Sequence, residues 1–323
     1  MCQRLSLGSH WLCLVLGLWM VAGPVQVQAS NAFAPVAPSL APAAPAAHSS
    51  THFSGDVPSA LATATCARPL YLTFDTGHMG VADLIADVLR RHQVKATFFA
   101  AHEPTQVGDG SLGEHWAPWW RARAAEGHAF ASHTYDHVYW KADLPGGRFR
   151  VRASAGPEKN KTRHWDGGQY CQEITRARDR LQAVTGKAPL PLFRAPGGKT
   201  SPALLSAARE CGFAHVGWAP AGFLGDELSS QTHSNAQLLH TALANIRPGD
   251  ILMAHLGIWS RQDPWAPAVL EPLIIGLKQK GFCFVTLREH PQYASHVRQA
   301  AQGRASTALA RASGAPGGPA WKP

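Results

Sequence analysis

Short apolar runs alternate with amphipathic stretches along most of this chain, and this alternation restricts the fold more than any other feature of the sequence. Leu70 to Phe74 is suited to a buried strand, and Val81 to His92 then places apolar side chains at helical spacing. A second apolar run, Ala96 to Ala100, completes a β-α-β unit. Units of this kind build parallel sheets, because the crossover helix returns the chain to the same end of the sheet. The sequence therefore predicts an α/β fold.

The same alternation continues and predicts seven strands, at residues 70–74, 96–100, 128–132, 190–194, 215–218, 250–255 and 282–287. About seven parallel strands suit a distorted (β/α) barrel, in which polar residues of the active site collect at the carboxyl ends of the strands. The segment from Val138 to Gly168 shows neither the helical nor the strand period of apolar residues, and it holds many charges and glycines. We therefore expect a long loop there, over the same end of the barrel.

The first 29 residues have the composition of a signal peptide. An apolar run from Trp11 to Gly23 is too short to cross a bilayer as a stable helix, and Val27-Gln28-Ala29 after it resembles a cleavage site. We expect an exported protein, periplasmic or secreted, with no stable membrane anchor once the leader is cleaved. An uncleaved anchor is the alternative.

The remaining chain divides into three segments by composition. Residues 30–65 are rich in Ala and Pro and predict a spacer, because they offer too little apolar surface to offset the entropy of ordering. Residues 66–298 carry the alternating pattern and predict one folded domain. Residues 299–323 are expected to form a low-complexity tail that frays in solvent.

Four cysteines remain after removal of the leader: Cys66, Cys171, Cys211 and Cys283. An exported chain meets an oxidising compartment, and four cysteines permit three pairings. Cys66 precedes the first strand and Cys283 lies in the last, and these strands could be neighbours in a closed barrel. The sequence alone leaves the pairing open.

The net charge of +9 could suit an acidic partner such as nucleic acid or an anionic envelope polymer. However, no helix carries a dense stripe of Lys and Arg interleaved with aromatic residues. Part of the charge also lies in the final 25 residues, which contain no acidic side chain. We therefore expect no nucleic-acid partner.

Polar side chains stand where several predicted strands end. Asp75 follows the first strand, His133 and His137 follow the third, Arg194 ends the fourth, and His255 ends the sixth. Strand ends meet at one face of a barrel, so these side chains are expected to gather there. Two histidines can bind a metal, an aspartate can act as a base beside an arginine, and a further histidine can protonate a leaving amine.

Each element also has an ordinary structural explanation. Two histidines four residues apart are often surface residues in a chain that has 17 histidines. Asp75 and Thr76 are both good capping residues for the helix expected near Val81. The elements therefore indicate chemistry only in combination.

In combination and in this order, the elements resemble the motifs of the polysaccharide deacetylase family, carbohydrate esterase family four. Thr73 to Gly77 resembles the family's T-F-D-D-G element, and His133 to His137 resembles its metal-binding element of two histidines, the first of them followed by Ser or Thr. Arg194 to Gly198 resembles R-x-P-[YG], and Leu252 to His255 resembles the family's final element, in which a leucine precedes a histidine at a strand end. The resemblance covers nearly the whole predicted domain.

The resemblance implies a distorted (β/α) barrel and a divalent metal, usually Zn²⁺, held by two histidines and one aspartate. His133 and His137 would be the histidine ligands. Asp75 would be the general base towards a water that the metal activates, with Arg194 holding it, and His255 would be the general acid.

The resemblance also suggests where substrate binds. Tyr135, Pro196, Gly197 and Trp218 are the candidate substrate contacts, and a backbone amide near Tyr135 would assist the developing oxyanion. Asp226 is the nearest carboxylate that could orient the acid histidine. Other tryptophans could stack on sugar rings, although buried packing is the expected role for most of them.

Thr76 stands where the family's T-F-D-D-G element has its second aspartate, which is normally the third protein ligand to the metal. A neutral hydroxyl is a poor zinc ligand. The site could use a water, recruit Asp75 or another carboxylate, bind metal loosely, or be empty.

The leading hypothesis is a metal-dependent hydrolase, acting on a linear amide, that removes N-acetyl groups from an envelope or extracellular polysaccharide. It would act as a monomer on an N-acetylated polysaccharide. The alternatives are a catalytically impaired glycan-binding pseudoenzyme and an O-acetyl esterase acting on a polysaccharide.

Overall fold

The computed structural model describes residues 66–261 and 263–312, and for residues 307–312 only the helix that they continue. The predicted leader and the whole of the predicted spacer lie outside the described residues, so both stay predictions. Within the described part of the chain, no helix is long and apolar enough to cross a membrane.

The described residues form ten strands and seven α-helices. In chain order they are β1 (Pro69–Asp75), α1 (Ala82–Arg91), β2 (Thr97–Ala100), α2 (Ala117–Ala125), β3 (Ala129–Ser132), β4 (Val138–Leu144), β5 (Arg148–Ala153), β6 (Thr162–Trp165), α3 (Gly167–Thr185), β7 (Leu192–Phe193), α4 (Pro202–Glu210), β8 (Ala214–His215), α5 (Asn235–Asn245), β9 (Ile251–His255), α6 (Leu270–Gln279), β10 (Cys283–Phe284) and α7 (Pro291–Ala312).

Seven of these strands form one parallel sheet, which confirms the α/β prediction. The strand order is β10-β1-β2-β3-β7-β8, and β9 also pairs with β1. Asp75, at the end of β1, lies opposite Phe99 of β2 and His255 of β9. The pairing of β3 with β7 sets Ser132 opposite Phe193. This register brings the carboxyl ends of neighbouring strands together.

Buried side chains on both faces hold these strands. Six of the seven residues of β1 are buried, as expected for a strand covered on both sides. Phe98 of β2 lies at the centre of an aromatic cluster that includes Phe74, Phe130 and both Trp119 and Trp120. Trp119 and Trp120 therefore belong to the core, which is the role expected for most of the tryptophans.

Helix ends follow local rules. Helix α3 begins with a capping box, in which the Asp166 side chain accepts from the Gln169 amide and the Gln169 side chain accepts from the Asp166 amide. It ends at Gly186, whose backbone is left-handed. Helix α1, in contrast, has no side-chain cap, because neither Asp75 nor Thr76 bonds to its first turn. The capping explanation for these two residues is wrong.

The predicted fifth strand is shifted and shortened. The sequence predicts it at 215–218, whereas β8 covers only Ala214–His215. The carbonyl oxygens of Val216 and Gly217 instead accept hydrogen bonds from the Arg194 guanidinium, at 3.2 and 3.3 Å. A buried cation therefore uses groups that would otherwise be available to a neighbouring strand.

The segment 138–168 is not the predicted loop, because it contains an antiparallel sheet of three strands in the order β4-β5-β6. In β5, Phe149, Val151 and Ala153 are buried, while the arginines at 148, 150 and 152 are exposed. The period of two is present in this strand. The many charges of the exposed face conceal it in the sequence.

Helix α7 crosses the predicted domain boundary at residue 298 and continues to Ala312. The expectation that residues 300–312 form part of a frayed tail is therefore wrong. This stretch is rich in Ala with Gln and Arg, which are strong helix formers, and they continue the helix begun by the packed residues before it. Residues 313–323 lie outside the described chain.

Two disulfides resolve the pairing that the sequence left open. Cys66 is bonded to Cys283, which joins the residues ahead of β1 to β10. Cys171 is bonded to Cys211, which joins α3 to the end of α4. The first cross-link separates its partners by 217 residues and the second by 40, so the first restricts the unfolded chain more strongly.

Candidate active site

Four of the five polar residues expected at strand ends line one cavity of about 400 Å³, whereas the fully buried Arg194 does not line it. Its walls include Asp75, His133, His137 and His255. A larger cavity of about 600 Å³ lies beside the amino-terminal end of β9, but it contains no carboxylate paired with histidines like these. The chemistry of the side chains therefore identifies the smaller cavity as the candidate site.

Asp75 and Arg194 form a buried ion pair at the floor of the site. Arg194 Nη1 donates to Asp75 Oδ1 at 2.7 Å, and the Arg194 and Asp75 side chains are 0% and 4% exposed. The guanidinium also lies over the ring of Phe99, 4.1 Å from its centroid. Burial alone would raise the pKa of the Asp75 carboxyl, but the positive charge of Arg194 holds that pKa below its usual value. Asp75 is therefore an ionised acceptor at neutral pH.

His133 presents its Nε2 atom to this carboxylate. Its Nδ1 lies 2.9 Å from the Arg194 carbonyl oxygen, which can only accept, so Nδ1 carries the proton. Nε2 then has a free lone pair and lies 3.6 Å from Asp75 Oδ2. Burial lowers the pKa of His133 to about 4, so the ring is neutral at neutral pH. A neutral imidazole is the form that binds metals.

His137 is held in the same tautomer by a different partner. Ser154 Oγ donates to the His137 carbonyl oxygen at 3.2 Å and lies 2.5 Å from Nδ1, so the hydroxyl oxygen accepts the Nδ1 proton. The centroids of the His133 and His137 rings are 4.8 Å apart. Thr134 and His137 both have positive φ, of 60° and 48°, which shows that a tight turn and not a helix brings the two rings together.

A glutamate that the sequence motifs do not include lies beside these rings. Glu103 lies three residues after β2, and its Oε1 is 3.9 Å from His137 Nδ1. Its Oε2 accepts from the Thr76 hydroxyl at 2.5 Å and from the Gly77 amide at 2.7 Å. The sequence signal that could have identified Glu103 is its position as an acidic residue just beyond a buried strand. Only the pairing of β1 with β2 shows that it reaches Thr76.

The site has the donor types that a metal of the zinc kind requires. Within the described residues, no three His, Cys, Asp or Glu side chains converge closely enough to form a complete metal site. His133 and His137 nevertheless offer two free imidazole nitrogens, and a carboxylate lies beside them. Two nitrogens and one oxygen with an open position are typical of catalytic zinc sites. The residues present therefore fit a divalent metal by their chemistry.

His255 faces the cavity from β9 and is paired with Asp226. One Asp226 oxygen accepts from the His255 backbone amide at 2.7 Å, and both oxygens lie 3.1 Å from His255 Nδ1. Asp226 is thus the carboxylate that orients this ring, as the sequence suggested. Burial opposes the charged ring, but the negative charge of Asp226 outweighs it and raises the pKa of His255 to about 9.

The raised pKa gives a testable pH dependence. If His255 acts as an acid, activity that needs its proton should fall as the pH rises through about 9. In Asp226→Asn the charge is gone and burial dominates, so we expect the pKa of His255 to drop below its ordinary value near 6.5. The alkaline limb of the rate profile should then lie below about pH 7, as read from acetate release and from the NMR titration of His255.

Glu227→Gln is the matched control, because Glu227 also lines the cavity and acts on His255 through charge alone. It should move the alkaline limb only slightly. An unchanged limb in Asp226→Asn would contradict the assigned pairing.

The candidate substrate contacts separate into two groups. Gly197 and Trp218 line the cavity, together with the largely exposed Trp259. Pro196 is buried and does not line it.

Tyr135 points away from the cavity. Its amide donates to the Glu173 carbonyl oxygen at 3.0 Å, and its ring stacks on the Arg176 guanidinium at 3.8 Å. The turn after β3 directs Tyr135 towards α3, so its own amide is used within the fold, and assistance to an oxyanion by an amide near Tyr135 stays a prediction.

Comparisons with a protein-family model, a curated protein and a solved structure point to the same kind of protein. Residues 62–216 match the family model for polysaccharide deacetylases. A chitooligosaccharide deacetylase from Azorhizobium caulinodans is 26% identical over 68% of this chain and 92% of its own length. A solved peptidoglycan N-acetylglucosamine deacetylase with a bound N-oxidanyl-benzamide is 26% identical, with a TM-score of 0.50 over 69% of this chain and 88% of that one.

A family four acetyl xylan esterase from Clostridium thermocellum, solved with a cobalt ion, shares the fold. Its TM-score is 0.52 at 22% identity, over 69% of this chain and 89% of that chain. The parallel sheet, the order of the strand-end motifs and these relatives agree. They confirm the resemblance of this chain to the polysaccharide deacetylase family, carbohydrate esterase family four.

Proposed function

We propose that this protein is a metal-dependent hydrolase that removes N-acetyl groups from an envelope or extracellular polysaccharide. The observation that carries the proposal is the buried Asp75–Arg194 pair beside two histidines with free Nε2 atoms. A charged histidine, His255, faces the same cavity from the strand that pairs with β1. The named deacetylases among its relatives support the substrate class.

The residues of the chain divide the work of amide hydrolysis. Asp75, ionised and held by Arg194, takes a proton from the attacking water. His255, protonated and held by Asp226, gives a proton to the leaving amine, which would otherwise depart as an unstable anion. The two groups have pKa values shifted in opposite directions, which is the arrangement that acid and base roles require.

His133 and His137 would hold the metal, for which Zn²⁺ and Co²⁺ are suitable probes. When bound, such an ion supplies a positive charge that activates water and polarises the acetyl carbonyl. The cobalt ion in the acetyl xylan esterase structure supports this choice of group. The hydrogen bonds of the two Nδ1 atoms fix the tautomer and orientation of both rings.

The cavity also indicates how a glycan could lie. Trp218 and Trp259 offer aromatic faces to sugar rings, and Gly197 lets a substrate approach the backbone. We propose an exported monomer that acts on an N-acetylated polysaccharide in the periplasm or outside the cell. It would have no nucleic-acid partner.

Thr76 favours a second candidate function, a glycan-binding protein without turnover, because this position lacks the aspartate that the family normally supplies. A third candidate is O-acetyl ester cleavage, because an alcohol leaves with less need of a proton from His255.

Acetate release decides among the three. The full chain should release acetate from chitooligosaccharides or peptidoglycan, lose this activity after treatment with a chelator, and regain it with Zn²⁺. If no N-acetylated glycan released acetate with metal supplied, the deacetylase proposal would be wrong. Binding without acetate would favour the pseudoenzyme, and faster release from O-acetylated xylan would favour the esterase.

A further inference from the structure

We propose that Glu103 is the carboxylate ligand of this metal site and that it replaces, from the end of β2, the aspartate that is missing at Thr76. This inference rests on one assumption of the proposed function, which is that the site binds a metal ion. Thr76 becomes a positioning residue that holds the glutamate. The proposed ligands are Glu103, His133 and His137, whose side chains must move closer together than they lie in the structure to share one ion.

Glu103 is a largely buried carboxylate whose charge is not neutralised by a Lys or Arg. Its side chain is 16% exposed, and within the described residues the only basic side chain with a nitrogen within 4.0 Å of it is His137, whose Nδ1 lies 3.9 Å from Oε1 and donates to Ser154. The charged carboxylate of a buried glutamate is costly unless a cation or several donors compensate for the lost water. Two donors, Thr76 and Gly77, compensate on one oxygen only. A divalent cation at the other oxygen would complete the compensation.

The two carboxylate oxygens have different surroundings. Oε2 is held by the Thr76 hydroxyl and the Gly77 amide, and this fixes the orientation of the whole group. Oε1 faces His137 and has no hydrogen-bond donor within 3.5 Å in the part of the chain that the structure describes. Outer partners that orient a ligating carboxylate are a regular feature of metal sites.

Thr76 is suited to hold a glutamate and unsuited to bind a metal. Its hydroxyl accepts from the Ala101 amide at 3.1 Å and gives its only proton to Glu103. An aspartate at this position would set a second negative charge against Glu103. The residues at positions 76 and 103 therefore depend on each other. The site takes one metal-binding carboxylate, from one position or the other.

Gly77 is the second residue that holds the Glu103 carboxylate, and its backbone conformation requires a glycine. Its φ is +91°, and a Cβ added there would meet the Gly257 carbonyl oxygen at 2.1 Å. Only glycine fits this backbone, and the backbone directs the Gly77 amide at Glu103.

Asp75 is a weaker candidate for the third ligand. Its Oδ1 is occupied by Arg194, and the positive guanidinium competes with a cation for the same carboxylate. This arrangement leaves Asp75 for the base role.

The test compares Glu103→Gln with the wild-type full chain. Gln keeps an oxygen that accepts from Thr76 and Gly77, so it preserves the structural role and removes the charge. Metal content after dialysis and the visible spectrum of the Co²⁺-loaded protein are the readouts. We expect wild type to retain about one metal and Glu103→Gln to lose at least about 100-fold in metal affinity, with a weakened Co²⁺ spectrum.

Glu227→Gln is the matched control, because it removes a negative charge from the same cavity at a residue outside the proposed ligand set. It should keep the metal. Thr76→Asp/Glu103→Gln moves the carboxylate back to β1 and should recover binding. Circular dichroism of the metal-free variants checks that each is folded.

The outcomes separate this inference from the proposed function. Equal metal affinity in Glu103→Gln and wild type would overturn the ligand role and leave the deacetylase proposal standing. A wild-type protein that binds no Zn²⁺ or Co²⁺ would overturn both. Acetate release that continues in metal-depleted wild type would overturn metal dependence alone.

Discussion

Asp75→Asn is expected to lower acetate release by about 10²–10⁴-fold, the usual contribution of a general base. Asn keeps an oxygen that can accept from Arg194 Nη1, but it cannot take a proton from water. The change should therefore act on kcat more than on KM. Steady-state kinetics on a chitooligosaccharide measures both.

Two checks make this result specific. Metal content of Asp75→Asn should stay near that of wild type, because Asp75 is not among the proposed ligands. Asp83→Asn, on the exposed side of α1, removes a carboxylate that does not line the cavity and should leave the rate unchanged. A variant that keeps more than about a tenth of wild-type kcat would contradict the base role.

Arg194→Met is expected to lower the free energy of unfolding by about 3–5 kcal/mol, because it leaves a buried carboxylate without its cation. Arg194 is fully buried, and its guanidinium also serves the carbonyl oxygens of Val216 and Gly217. Urea denaturation at pH 7 measures the loss. Arg90→Met breaks an exposed ion pair with Asp87 and should cost much less.

The pH dependence of this variant has a definite sign. In wild type the pKa of Asp75 is lowered, so the pair stabilises the fold above the ordinary carboxyl pKa near 3.9, and that contribution is lost as the pH falls. In Arg194→Met burial raises the pKa of Asp75, so the difference from wild type should shrink in acid. A loss below about 1 kcal/mol at pH 7 would mean that the pair contributes little, contrary to its burial.

A double variant measures the interaction between Asp75 and Arg194 separately from the contacts that each makes with other residues. Asp75→Asn/Arg194→Met removes both charges and should cost less than the two single losses added together. Simple additivity would show that the two side chains act on stability independently.

The sequence predicts the strands of the parallel sheet well because their signal is local. Buried strands are short apolar runs, and a polar residue at the end of such a run is visible without knowing its neighbours. Asp75, His133, Arg194 and His255 are recognised in this way, and all four lie at one end of the sheet.

The inserted sheet shows where a local pattern is insufficient. Residues 148–153 have the period of two, but arginine occupies every exposed position. Charge dominates the composition of the segment, so the strand pattern is hidden. The position of Tyr135 shows a second limit, because the direction of a side chain in a turn depends on the φ values of its neighbours.

The α/β class, the family motifs and the threonine in place of an aspartate at position 76 can all be read from the sequence. Which carboxylate lies beside that position depends on the folded chain. Glu103 is 27 residues from Thr76, and Asp226 is 29 residues from His255. Contacts over such separations are set by which strands pair and in what register, and no local period of apolar or polar residues encodes them.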